Sequence, residues 1–417
     1  MLPNSAPLVV VGGGPAGYMA AINAAEAGVP SVLLLEATSA PLHKVLISGG
    51  GRCNVAHACW DNSLLVSQYP RGGRALLGLF SRFAAPETVA WFKARGLSLL
   101  QEADGRLFPA SNRSTAVVDC LRQAAQAAGV QVALNQAVQS AWRCEQGGFS
   151  LKLRKGPELT ADRLLLATGS HPSGHRIAAD LGHGLVAPVP SLFSLAVQNH
   201  PLLGLAGMAM DPVRVELLTQ GRSAARRRQL WQQTGALLVT HRGFSGPAIL
   251  RLTAFAAREL KQRHYQGELK VDWTGGRELK AIEAQFHSAR QQQSRRQLAN
   301  WRPWPSLSRR LWLHLMAGLG VDSGQRWAEL DRRQQLGLIT ALRNSRYPIK
   351  GRGPFGEEFV TAGGIPLGEV NLATMESRLQ PGLFLAGEVL DVDGVTGGFN
   401  FQHCWSSGWL AGRAMAI

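Results

Sequence analysis

Acidic residues are scarce in this chain. Its 417 residues include 28 Asp and Glu against 44 Lys and Arg, for a formal net charge of +16. Cysteine is sparse as well. The five cysteines, Cys53, Cys59, Cys120, Cys144 and Cys404, form no C-x-x-C pair, and their count is odd. That pattern excludes a disulfide scaffold and a structural zinc site, and it is the pattern of reduced thiols in a cytoplasmic protein. No basic segment leads into an apolar run and a cleavage motif near the N-terminus, so no secretory signal is expected. The longest stretch without a charged residue, 181–210, is broken by Pro188, Pro190, Asn199, His200 and Pro201 and makes a poor membrane span. No period of 20–50 residues recurs, which excludes a repeat array. A hydrophobic content of 45% and a mean hydropathy of −0.04 describe a soluble globular chain, long enough for two or three domains.

The missing acid is missing from one place. Residues 191–346 hold 24 Lys and Arg against 10 Asp and Glu, while the rest of the chain holds 20 and 18. Solvated helix faces normally interleave both signs. A one-sided excess instead points to a polyanionic partner, and nucleic acid is the natural one. The candidate contacts are Arg226, Arg227 and Arg228 in a basic hairpin at 221–228, and Arg295, Arg296, Arg309 and Arg310 among predicted helices. Trp301 and Trp304 are read as available for base stacking.

What the chain has in plenty is glycine placed at turns. Residues 8–36 run from an apolar strand through Gly12-Gly13-Gly14-Pro15-Ala16-Gly17 into an Ala-rich helix and a second apolar strand ending on Glu36. The turn fits G-x-G-x-x-G in its required setting. Gly12 permits the tight turn, Gly14 lets backbone approach a pyrophosphate, and Gly17 lets helix pack on strand. Pro15 and Ala16 open the helix, whose free N–H groups face the phosphates. Glu36, nineteen residues past Gly17, is placed to accept from ribose hydroxyls. An acid there argues against a 2′-phosphate, so FAD or NAD fits better than NADP.

A second glycine cluster follows at 43–54 (HKVLISGGGRCN), where Lys44, Gly49, Gly50, Gly51, Arg52 and Asn54 surround a loop of N–H donors. Short strands at 130–134, 137–144 and 149–154 then lead to a buried strand ending in Ala167-Thr168-Gly169. A strand–helix–strand unit, a β-meander and a strand closing on A-T-G is the order found in flavoproteins of the two-dinucleotide fold. Near the C-terminus, GEVLDVDGVTGGFN (387–400) places Gly387, Glu388, Asp391 and Asp393 at a strand end, suited to ribityl hydroxyls. Gly397 and Gly398 then let a last helix, opening on Phe399 and Asn400, start close to a flavin ring. The acid spacing does not match an EF-hand, and no metal is expected.

These blocks resemble the YhiN/BaiN-like family of bacterial FAD-dependent oxidoreductases. The resemblance rests on VVGGGPAG, SGGGRCN, GRLFP, LATGS, THRGFSGPAIL, VTAGGI, TMESRLQPGLFLAGEVLDVDGVTGGFNFQ and WSSGWLAG, which span residues 9–412. It implies an α/β, Rossmann-type two-dinucleotide FAD-binding fold with an inserted β-domain and a small helical domain. The corresponding boundaries are 1–190 and 347–417 for the FAD-binding domain, 191–275 for the β-rich insertion and 276–346 for the basic helical subdomain. Gly12, Gly14, Gly17 and Glu36 would hold the ADP half, residues 49–54 would wrap the pyrophosphate and flavin, and Gly387, Glu388 and Asp393 would serve the ribityl end. This chain departs from the family pattern at Gly387-Glu388, where Gly-Asp is common, and mildly at Ser48 and Ser170.

Family members are linked to dihydrouridine formation in 23S ribosomal RNA and to reduction of C=C bonds in bile-acid-like compounds. The basic insertion favours RNA, because a steroid needs an apolar cleft. The expected chemistry is hydride transfer from reduced FAD, itself reduced by NADH or NADPH, to an activated alkene. Cys53 and His241 are the candidate acids for the second carbon, on the ordinary pKa values of a thiol and an imidazole. No membrane partner and no obligate protein partner are expected.

Overall fold

The computed structural model describes residues 3–218, 231–353 and 360–417. The chain divides into two units, residues 1–189 with 360–417, and residues 190–359. Strand Ser345–Arg352 continues through residue 346, so the insertion returns later along the chain than the charge pattern indicates.

In the first unit, β1 (Ser5–Val11) runs parallel to β2 (Val32–Leu35), with Val9 opposite Leu33. Helix α1 (Pro15–Glu26) makes the crossover between them. The sheet continues from β2 to β3 (Gln131–Ala133), reached through α2 (Ser114–Ala127). An antiparallel hairpin of β4 (Val138–Arg143) and β5 (Phe149–Leu153) leads into β6 (Leu159–Leu166), which returns beside β1 with Val9 opposite Leu164. From the far end of the chain, β7 (Leu383–Leu385) adds in parallel to β6. The central strands are apolar on both faces, and Leu8, Leu33, Leu34 and Leu164 are fully buried. The last helix, α3 (Phe399–Ala414), packs along α1. Glycine makes that approach possible. A Cβ on Gly408 would meet the Ala16 carbonyl at 2.5 Å, and one on Gly412 would meet that of Ala20 at 2.4 Å.

The second unit is a closed six-stranded antiparallel barrel carrying helices. Around the barrel its strands are Leu195–Val197, Gly243–Ser245, Gln232–Val239, Ala209–Leu218, Gly267–Asp272 and Ser345–Arg352. Val213, Val215 and Leu217 alternate inward on one strand, the period-2 pattern of a half-buried strand. Helices Leu279–Gln292, Arg309–Gly318 and Arg332–Arg343 share one continuous core with the barrel, in which Trp273, Phe286, Trp312 and Trp327 are almost fully buried. Asp331 caps the last of these by accepting from the Gln334 N–H (2.7 Å). Among the described residues, no helix is long and apolar enough to cross a membrane.

Candidate functional site

The site is assembled at the C-terminal ends of β1, β2 and β6, where an open parallel sheet places its ligands. Gly12 leaves β1 with φ +112°, and its N–H donates to Leu35 O at 2.9 Å. A Cβ on Gly12 would meet Ala167 O at 2.4 Å, and one on Gly17 would meet Gly12 O at 2.0 Å, so neither position admits a side chain. Gly14 differs. Its Cβ position meets nothing within 4 Å, which leaves space at the N-terminus of α1 where backbone N–H groups and the helix dipole favour phosphate. Glu36 closes one side. Its Oε2 accepts from Gly13 N–H, and its Oε1 accepts from the Thr38 N–H and hydroxyl, each at 2.8 Å.

The second glycine cluster is tied to the first turn, since Leu42 N–H donates to Gly13 O at 2.8 Å. The segment His43–Gly51 begins as a helix and breaks at Ser48, after which Gly49, Gly50, Gly51 and Cys53 all take positive φ. Gly50 and Gly51 face open space. Asn54 Oδ1 is buried with no hydrogen-bond partner among the described residues, an acceptor that awaits a donor from a bound group. Thr168 Oγ1 is in the same condition, beside Gly169 at φ +61°.

The C-terminal block meets both turns. A Cβ on Gly387 would lie 2.8 Å from Ala16 Cβ, and one on Gly398 would lie 2.7 Å from Ala56 O and 2.8 Å from Asn54 Oδ1. Gly397 sits against His57, whose ring stacks on Phe399 with centroids 4.8 Å apart. Lys44 pairs with Glu388 at 2.7 Å. Burial pulls that ammonium down, but the carboxylate outweighs it and holds the group above the ordinary lysine value. The turn, the loop and the start of the last helix therefore form one surface.

Several expected ligands have other work. Asp393 is fully buried in a two-pronged ion pair with Arg71, so its carboxylate faces a guanidinium rather than a ribityl chain. Asp391 Oδ1 accepts from Gly363 N–H at 3.0 Å. Asn400 exchanges side-chain bonds with the Gly394 backbone at 2.8 and 2.9 Å, and so braces the loop instead of reaching outward. Arg52 lies over the Phe108 ring, 4.0 Å from its centroid, and is held by Glu102 and Asn112. Glu388 is likewise engaged, its Oε1 accepting from Thr361 N–H at 2.9 Å while its Oε2 pairs with Lys44.

The expected acids fare differently. Cys53 is fully enclosed, and burial pushes its thiol up to about 12 against the smaller effect of a hydrogen bond with Ser48. The near-neutral thiol expected at this position is absent, and the side chain packs. His241 is exposed on the barrel. Of the arginines, Arg295, Arg296, Arg309 and Arg310 are exposed, whereas Arg226, Arg227 and Arg228 lie outside the described residues. Trp304 is buried in the core and is not available for stacking, whereas Trp301 is partly buried and packs edge-on against Trp327 at 5.3 Å. His57 carries no motif, and only its proximity to Gly397 and Phe399 in the fold marks it.

A glycine turn opening on a helix N-terminus, an acid at the end of the second strand and a C-terminal helix closing on the same surface define an FAD-binding oxidoreductase of Rossmann type. The chain belongs to the family described as HI0933-like protein Rossmann domain, which matches residues 6–414. It is 30% identical over 424 residues to a 3-dehydro-bile acid delta(4,6)-reductase of Clostridium scindens, covering 98% of each chain. It is 29% identical to a ribosomal RNA dihydrouridine synthase of Escherichia coli, covering 97% of this chain and 96% of that one. Among solved structures, a 3-ketosteroid-delta4-(5alpha)-dehydrogenase from Rhodococcus jostii shares the fold, with a TM-score of 0.51 at 16% identity over 100% of this chain and 98% of that one.

Proposed function

We propose that the protein reduces an activated C=C bond, with uridine in ribosomal RNA as its substrate. When bound, FAD in its reduced state supplies the hydride. On the uracil ring a hydride adds to C6 and a proton to C5, so one C=C becomes a single bond, and a reduced nicotinamide nucleotide supplies the two electrons for each turnover. The chain's own residues bind and orient. Gly12, Gly14 and Gly17 admit the pyrophosphate, Glu36 meets the adenosine ribose, and Asn54, Glu388 and Gly398 face the flavin end. The barrel and helices offer the phosphate-tracking surface.

The observation that carries the RNA reading is the surplus of 14 positive charges in residues 191–346, with Arg295, Arg296, Arg309, Arg310, Arg332 and Arg333 exposed. A charged surface of this kind suits a run of phosphates, whereas a bile acid offers it a single carboxylate. A second reading, reduction of a bile-acid-like enone, is favoured by the 30% identity to the Clostridium scindens reductase. Mass spectrometry of ribosomal RNA from a strain lacking the protein separates them. Loss of one dihydrouridine supports the first reading, and an unchanged dihydrouridine content removes it.

A further inference from the structure

The seam that closes the barrel has a defect. Strand Leu195–Val197 pairs with Ser345–Arg352 so that Ala196 faces Gly351 while Val197 faces Ile349. Lys350 is the extra residue of a β-bulge, a device that re-aims a side chain beside a site. Tyr347 and Ile349 point into the core, and Lys350 and Arg352 are exposed. Between them, the side-chain position of Gly351 meets nothing within 4 Å. The adjoining turn is held to the seam because Val197 N–H donates to Arg242 O at 2.8 Å. The result is a hollow of about 470 Å³ on the barrel, lined on its polar side by Asn199, His200, His241, Arg242, Lys350 and Arg352.

That lining is of one sign. It carries three permanent cations and two imidazoles, and no carboxylate among the described residues. Neither Arg242 nor Lys350 has an ion-pair partner among the described residues, and Arg352 is steadied over the Tyr265 ring, 4.9 Å from its centroid. His200 donates through Nε2 to Thr240 O (3.1 Å), leaving Nδ1 buried without a hydrogen-bond partner among the described residues. Asn199 holds φ at +46°, a conformation unusual for a side-chain-bearing residue and common at binding sites. Arg242 and Lys350, brought to one hollow with no ion-pair partner among the described residues, repel one another, and an anion relieves that repulsion.

We propose that this hollow is a phosphate-binding subsite for a nucleotide, built from barrel residues and not from the glycine turns of the dinucleotide cradle. The guanidinium of Arg242 supplies paired N–H donors of the geometry that matches phosphate oxygens, and Lys350 supplies a point charge. The inference rests on the barrel alone and stands whether or not the substrate is RNA. Two sources bring such a group, an RNA strand and the 2′-phosphate of NADPH.

The test uses the full chain saturated with FAD, so that the cradle is filled, and follows equilibrium binding of radiolabelled inorganic pyrophosphate. Saturable binding of one equivalent is expected. Arg242→Ala and Lys350→Ala, both at exposed positions, should each weaken it by about tenfold or more, the effect of losing a charge-assisted hydrogen bond. Lys152→Ala with Arg154→Ala, at exposed positions on the parallel-sheet unit, should leave it unchanged, and unaltered melting temperatures exclude unfolding. Displacement by a uridine oligonucleotide and not by NADPH assigns the subsite to RNA, and the reverse assigns it to the reductant. Binding that is unsaturable, equal in all variants or displaced by neither overturns the proposal.

Discussion

His57 stacks on Phe399 with ring centroids 4.8 Å apart and planes 19° from parallel, so the segment after the second glycine cluster lies directly on the first residue of the last helix. Tyr69 adds a hydroxyl bond to the Phe399 carbonyl at 2.6 Å. Residues from opposite ends of the chain thereby make one wall, and the consequences can be measured separately.

The last two glycines of the G-x-G-x-x-G turn, Gly14 and Gly17, should separate folding from binding. Gly17→Ala drives a methyl group into Gly12 O and should destabilise the apoprotein by about 2 kcal/mol or more. Gly14→Ala meets nothing in the protein, so the apoprotein should melt as the wild type does while its FAD affinity falls at least about tenfold. Thermal melts of apoprotein and fluorescence titration with FAD read the two effects.

Glu36 should matter through charge and through position. Glu36→Gln can keep one acceptor but loses the charge that Gly13 and Thr38 donate to, and FAD affinity should fall by about 1.5–3 kcal/mol. AMP affinity should fall in parallel, whereas FMN affinity, which does not involve the adenosine half, should not.

Breaking the Arg71–Asp393 pair should unfold the loop before the last helix. Arg71→Met leaves a fully buried carboxylate without its counter-charge, at a cost of about 3–5 kcal/mol. The double variant Arg71→Met with Asp393→Leu should recover much of that loss, which a double-mutant cycle by denaturant unfolding would show. A ribityl ligand at Asp393 would give no such recovery.

His403 makes stability depend on pH. Burial drives its imidazole down to about 4 from an ordinary value near 6.5. Between those values the unfolded chain binds a proton that the folded chain refuses, so stability should rise with pH across that window and be level on either side. The rise due to this group is at most about 3 kcal/mol. His403→Asn should flatten the slope relative to wild type in denaturant titrations at successive pH values.

The arginine surface should show itself in salt dependence. Arg295→Ala with Arg296→Ala should weaken RNA binding uniformly across sequences and reduce the slope of log K against log salt by about 1 for each phosphate contact removed. Equal slopes in wild type and variant would remove these residues from the interface.

The cradle was legible because its meaning is local. Gly12, Gly14, Gly17 and Glu36 sit at fixed spacings within one strand–turn–helix–strand unit, and each spacing has one geometric use. The C-terminal acids were harder to read. Nothing near Asp393 in sequence announces Arg71, and nothing near Asn400 distinguishes a loop brace from a ligand. Burial also decides against a near-neutral Cys53 and a Trp304 open to stacking, because the core claims the thiol and that indole while Trp301 packs on Trp327 from its edge. The bulge at Lys350 depends on which residue faces which across the barrel seam, and register of that kind leaves no trace in residue type.

Single-turnover reoxidation tests the central claim most directly. The flavin-loaded protein is reduced chemically without oxygen and mixed with ribosomal RNA from a strain lacking the protein, or with a steroid enone. The account expects RNA to restore the oxidised flavin spectrum as one uridine becomes dihydrouridine in equal amount, with the enone inert. Rapid reoxidation by the enone, with RNA leaving the flavin reduced, would contradict it.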